Sequence, residues 1–170
     1  MKLKTRLTDV RTINALMTGA EAYAHRAGEE QPGAEHLLLS AIDLPDGSAR
    51  RAFERIGAEP HAFLTAVTAS HDDALRSVGV EPLPDDVLDA GHPLAPRGVF
   101  HMNASGRAAF QTAGRLAQAD GHSGLTGAHI VLAVAQMEHG TAARALRHMG
   151  VDPAALLEAA SAEIAAQGSR

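Results

Sequence analysis

The chain nearly repeats itself at an offset of 93 residues, and this constrains its fold more than any other feature. The stretch GAEHLLLSAI (Gly33 to Ile42) reappears as GAHIVLAVAQ (Gly127 to Gln136), with His36 over His129. Without a gap, Leu39 falls on Leu132, Gly47 on Gly140, Ala49 on Ala142, Arg51 on Arg144, Gly57 on Gly150 and Pro60 on Pro153. Upstream, Ala20, Ala24 and Gly28 fall on Ala113, Ala117 and Gly121. Core residues and turn residues coincide in one register, which is the signature of a duplicated structural unit.

Each unit reads as four helices. In the first, Thr8 or Asp9 could cap a helix on which Ile13, Leu16, Met17, Ala20, Tyr23, Ala24 and Ala27 follow helical spacing. Gly28 suits the position just past its end. The second helix, about Ala34 to Leu44, is apolar nearly all round and so should be the buried central one. Pro45-Asp46-Gly47 ends it. Ser48 is the expected cap of a third helix striped by Ala49, Ala52, Phe53 and Ile56, with Arg50, Arg51, Glu54 and Arg55 on its solvated face. Glu59-Pro60 opens a fourth, whose inner face is expected from Phe63, Leu64 and Val67. The second unit repeats this logic. Ala109, Phe110, Ala113, Leu116 and Ala117 stripe its first helix, Thr126 and Thr141 are the expected caps of the next two, and Asp152-Pro153 opens the last, with Leu156, Leu157 and Ile164 inward. The predicted fold is all-α: two tandem four-helix repeats packed as one pseudo-two-fold, eight-helix domain over residues 1–170. Repeat one covers about 8–78 and repeat two about 102–166. Pro82, Pro84, Pro93 and Pro96 preclude a regular helix in the connecting loop, about 79–101. Each half is too small for a robust core, so the halves should pack on each other.

Composition narrows the function classes. Aromatics make up 3% of the chain and there is no Trp, so the core must come from Ala, Leu, Val, Ile and Met, which suits close helix packing. The formal charge is −5 with signs interspersed, unlike the basic face of a nucleic-acid binder. No Cys is present, which excludes disulfides, thiolate nucleophiles and thiolate metal sites. The charged N-terminus has no apolar segment of signal-peptide type, and no run reaches the roughly 18 apolar residues of a membrane span. A soluble, cytoplasmic protein is expected. The sequence contains ten His. Yet there is no H-E-x-x-H, His139 and His148 are poorly spaced for one helical face, and no G-x-S-x-G elbow occurs. No enzyme, cofactor or metal site is expected.

The pairs GAEHLLLSAI with DGSARRAFERIGAEP, and GHSGLTGAHIVLAVA with HGTAARALRHMGVDP, resemble the Clp N-terminal (Clp repeat) domain found at the front of Clp-type AAA+ unfoldases. The resemblance runs from about Thr8 to Ala166 and includes both copies. Nothing matches the P-loop pattern G-x-x-x-x-G-K-[ST], so the chain looks like a free-standing N domain without ATPase modules.

That resemblance implies a non-enzymatic module that binds peptides, adaptor proteins, phosphorylated arginine or certain cyclic-peptide antibiotics. It implies a phosphoarginine-type site in which Glu35 holds the guanidinium and Thr8 helps hold the phosphate, with Arg6 close by. A carboxylate pairs with guanidinium in a bidentate manner, and a hydroxyl at a helix start suits phosphate. In copy two the matching positions are Asn103 and Ala128. Ala cannot bind guanidinium, so the second site is degenerate. His36 and His129 are read as structural, tethering the starts of buried helices, and Glu35 could equally serve the helix dipole. Expected partners are protein or peptide ligands, including Clp ATPase or adaptor components, with no nucleic acid and no membrane. Two rival readings stand beside the adaptor or decoy role: sequestration of a hydrophobic, cyclic-peptide-like molecule, and a structural dimerising module with a degenerate site.

Overall fold

The computed structural model describes residues 2–77, 79, 101–121 and 124–168, with side chains from Val10 onward. Eight helices and no strand occur among the described residues. In chain order they are α1 (Lys2–Arg26), α2 (Ala34–Asp43), α3 (Ser48–Arg55), α4 (Ala62–Ser77), α5 (Ala104–Asp120), α6 (Gly127–Ala135), α7 (Thr141–His148) and α8 (Pro153–Gly168). This is the all-α, two-times-four-helix arrangement expected from the duplication. The proline-rich connection and its Pro82, Pro84, Pro93 and Pro96 lie outside the described residues.

The two central helices form the middle of the molecule. Every residue of α2 except Asp43 is buried, and in α6 only Leu132 is not fully buried. They pack against each other, with α1 on α2 and α5 on both. The outer helices interlock across the repeats: α3 packs on α8, and α4 packs on α7. Each copy's third helix is thus covered by the other copy's fourth, so neither half closes its core alone. Phe53 and Phe63 anchor this layer, both fully buried, with ring centroids 6.5 Å apart.

Helix ends correct several expectations. Helix α1 reaches back to Lys2, so Thr8 and Asp9 lie inside a helix and do not cap it. The residues MKLKTRL before them are mostly good helix formers and extend the turn pattern. The cap of α3 is Gly47 at φ +65°, not Ser48, and the cap of α7 is Gly140 at φ +99°, not Thr141. Both backbones take a left-handed or otherwise glycine-favouring conformation. Helix α4 starts at Ala62, two residues after Pro60, whereas α8 starts on Pro153 itself. Leu64 is 45% exposed. The inner face of α4 is Phe63, Ala66, Val67 and Ser70, at i, i+3, i+4 and i+7, and Leu64 falls outside that stripe.

Close approaches fix the helix crossings. Ser40 donates to the Leu16 carbonyl at 2.8 Å, and Gly19 sits directly beneath the Ser40 side chain, where an added Cβ would collide with the hydroxyl. Between the repeats, Glu163 on α8 accepts from Arg51 Nε at 2.7 Å and Arg55 Nε at 2.6 Å on α3. The supposedly solvated face of α3 therefore carries an inter-repeat contact. Burial tends to raise the Glu163 pKa, but the hydrogen bonds and charges of Arg55 and Arg51 prevail and hold it below the ordinary carboxylate value.

Candidate functional site

The two central helices start in the same way. Gly33, at the extended cap position of α2, donates its N–H to His36 Nδ1 at 3.0 Å. Thr126, capping α6, donates its N–H to His129 Nδ1 at 3.2 Å, and its hydroxyl lies 2.8 Å from the same nitrogen. In each case an imidazole three residues into the helix reaches back to the cap, as the Glu or Gln of a capping box does. An Nδ1 that accepts N–H carries no proton, so the proton sits on Nε2. Both Nε2 atoms are buried and have no hydrogen-bond partner among the described residues. Burial lowers the pKa of both rings. His36 is brought down to about 4, with the charge of His71 adding to the effect. For His129, Asp120 and Asp46 oppose the shift in part.

The surroundings of the two starts then diverge. At α2, Ala34 N–H donates to Ser105 Oγ at 3.2 Å, and Ser105 donates to Asn103 Oδ1 at 2.8 Å. Asn103 caps α5 through Gly106 N–H at 3.0 Å, and its own N–H donates to the Pro32 carbonyl at 3.1 Å. The starts of α2 and α5 therefore meet. Glu35 folds back over Gly33, whose missing Cβ leaves room for both the Glu35 carboxylate and the Asn103 amide. Glu35 is 4% exposed, and its Oε1 lies 3.4 Å from His36 Nδ1. Burial raises its pKa. Its own backbone N–H opposes this, the charge of Glu29 adds to it, and His71 and Arg144 oppose it. Glu29 in turn lies 3.6 Å from His71 Nε2.

At α6 the equivalent place is filled from within the protein. Gly127 N–H donates to Asp46 Oδ2 at 2.9 Å, and Ala128 N–H donates to Ser48 Oγ at 2.8 Å. Asp46 also accepts from Ser48 N–H and from its hydroxyl at 2.7 and 2.6 Å. Ala128 is fully buried.

The residues singled out in the sequence are thus redistributed. Glu35 and His36 share the start of α2, and Asn103 joins them there, beside the acid of copy one. Ala128 lies at the other central helix start, under Ser48, and His129 holds that start's cap. The side chains of Thr8 and Arg6 lie outside the described residues. Their backbone is in α1, whose first turn is near Lys2, so Thr8 offers no helix N-terminus to a phosphate. Sequence reasoning missed Glu29, His71, Asp46 and Ser105. The acid followed two residues later by Ser in Asp46-Gly47-Ser48 was a readable capping signal; the others come together only through the fold.

Chemically the α2 start is a pair of carboxylates beside two imidazoles, suited to a guanidinium or ammonium group. Glu29, Glu35 and His36 also place ligand atoms within 4.8 Å of one another, a grouping that could hold a cation, although His36 Nδ1 already accepts the Gly33 N–H. Among the described residues, no activated nucleophile with a base and an orienting third group is assembled at this helix start.

A comparison with protein families finds that the Clp repeat (R) N-terminal domain model matches residues 10–87 and again residues 101–169. No curated protein matches the chain.

Proposed function

Because the chain belongs to the Clp repeat (R) N-terminal domain family, we propose that it is a non-catalytic protein-binding module of a Clp-type proteolytic system, acting in the cytoplasm as an adaptor or decoy. The observation that carries this reading is the family match over both repeats. No helix among the described residues is long and apolar enough to cross a membrane, which is in keeping with it.

The ligand class we favour is an arginine-bearing segment, including phosphorylated arginine. Glu35 supports this. It is a buried carboxylate with no Lys or Arg ion pair among the described residues, its nearest ionisable partner being the neutral His36. The equivalent start at α6 already holds the internal acid Asp46. A guanidinium would complete the first site and find no place at the second. Glu35 is nearly covered, so binding requires its carboxylate to turn outward from Gly33.

The experiment is a pull-down from lysate with wild-type protein and Glu35→Ala, paired with a titration by a phosphoarginine peptide. A Clp component captured by the wild type, and peptide binding weakened by Glu35→Ala, are the expected results. Failure to capture any Clp component or substrate overturns the adaptor reading, and equal peptide binding by both proteins overturns the role of Glu35.

A further inference from the structure

The two interlocking helix pairs are related by the duplication, and a position-by-position comparison shows where they differ. On the α3–α8 side, Glu163 is 4% exposed in its side chain and lies between Arg51 and Arg55, at 2.7 and 2.6 Å. On the α7–α4 side the same register places Arg144 at Arg51, His148 at Arg55, Arg147 at Glu54 and Ser70 at Glu163. The acid is gone from the fourth helix, another is replaced by Arg on the third, and the bases remain.

A cleft of about 660 Å³ opens at this place, with Ser70, Arg144, Arg147, His148, Asp73 and Ser77 on its walls. Arg144 donates to Thr141 Oγ1 at 3.1 Å and Arg147 to the Glu138 carbonyl at 3.2 Å, both neutral acceptors. None of Arg144, Arg147 and His148 forms an ion pair among the described residues, although Arg144 acts at longer range on Glu35. Asp73, the acid on the wall, is engaged by Arg76 at 3.2 Å. Two bases thus keep positions that, in the sister interface, grip a carboxylate, and a third has been added.

We infer that this cleft binds carboxylate side chains of an acidic peptide segment on a partner protein. The ligand's carboxylate takes the place between Arg144 and His148 that Glu163 takes between Arg51 and Arg55. Ser70, 6% exposed, leaves the room that the Glu163 side chain fills on the other side. A carboxylate is the group this arrangement of bases accommodates in the sister interface, and a cleft between two helices admits an extended segment. The inference does not rest on the Glu35 reading, which concerns a basic ligand.

Fluorescence anisotropy with a short labelled Glu-rich peptide and its Gln counterpart tests it. The Glu peptide is expected to bind more tightly, and raised salt to weaken it, since the bases are exposed. Arg147→Ala/His148→Ala, at exposed positions that spare the core, is expected to weaken binding roughly tenfold, as for the loss of one exposed charge contact and one imidazole contact. Ser70→Glu supplies the missing acid internally and is expected to abolish peptide binding while raising Tm. Glu35→Ala is expected to bind the acidic peptide at least as well as the wild type, which separates this site from the one at α2. Equal binding of the Glu and Gln peptides, an unaffected double variant, or a folded Ser70→Glu that still binds overturns the inference. So does binding of inorganic phosphate without binding of the peptide. Should Ser70→Glu fail to fold, the surface double variant decides alone.

Discussion

The hydroxyl of Ser48 accepts the backbone N–H of Ala128 at 2.8 Å, so the first repeat caps the central helix of the second. Asp46 completes the arrangement by taking the Gly127 N–H at 2.9 Å. A turn in one copy thereby satisfies donors that the first turn of any helix leaves open. The copies are held by polar contacts at helix ends as well as by the core between α2 and α6.

Ser48→Ala is expected to leave the buried Ala128 N–H without an acceptor, at a cost of about 1–3 kcal/mol. Ser48 is fully buried, so water cannot readily replace the hydroxyl. Urea denaturation measures the effect. A loss below the error of that measurement would show that the contact contributes nothing.

The duplication, the helix count and the buried central helices were legible because periodicity and repetition report directly on which face of a helix is covered. The imidazole caps were legible in outline, since His36 and His129 recur at one position in the repeat. The interlock was not. A repeated sequence reads the same whether α3 meets its own α4 or the α8 of the other copy, and only the packing of α3 on α8 and of α4 on α7 distinguishes the two. Leu64 misled because an apolar residue beside Phe63 resembles a core pair, while the i, i+3, i+4 stripe excludes it. Thr8-Asp9 misled because good capping residues are also tolerated inside a helix whose preceding turn consists of Lys, Leu and Arg. At the candidate site, Glu35 could be singled out from sequence. Its neighbours Glu29, His71 and Asn103 come from three separate segments and meet only in the fold.

Gly19→Ala tests the α1–α2 crossing. At an unobstructed helix position Ala is favoured over Gly by about 1 kcal/mol. Here the new Cβ would collide with the Ser40 hydroxyl and approach its Cβ to 3.0 Å, so a net loss of about 1–3 kcal/mol is expected. Ser40→Ala removes the collision with the hydroxyl, leaving only the approach to Cβ, but also removes the hydrogen bond to Leu16. The double variant should therefore be more stable than Gly19→Ala alone, a non-additive cycle readable by thermal denaturation. Strict additivity would place the cost of Gly19→Ala elsewhere.

Stability should fall with acid, chiefly through His36. Its pKa is about 4 when folded and about 6.5 when unfolded. Between these values the unfolded chain binds more protons, so stability present above pH 6.5 is lost as pH falls towards 4, about 3 kcal/mol in all. His129 acts in the same direction. Glu35 acts in the opposite sense, because its raised folded pKa favours the native state at low pH and that contribution is lost as pH rises. Urea denaturation from pH 7 to pH 4 should show a decline that His36→Asn flattens and Glu35→Gln steepens. An unchanged slope in both variants would show that neither group drives the pH dependence.

Glu163→Gln should loosen the α3–α8 lock. Removing the charge leaves Arg51 and Arg55 facing a neutral amide, but both arginine side chains are about half exposed, at 46% and 49%, and can regain water. The loss is therefore about 1–2 kcal/mol rather than the larger cost of stranding a buried charge. Because the arginines are exposed, the wild type should lose part of this stabilisation at high salt while Glu163→Gln loses little. The depressed Glu163 pKa adds an acid branch: its contribution is fully present above the ordinary carboxylate range and is lost as pH falls through the lower folded value, a loss that Glu163→Gln should lack. Thermal denaturation of both proteins across salt and pH checks each sign. Parallel salt and pH curves for the two proteins would mean that the carboxylate between Arg51 and Arg55 contributes shape alone to the interlock.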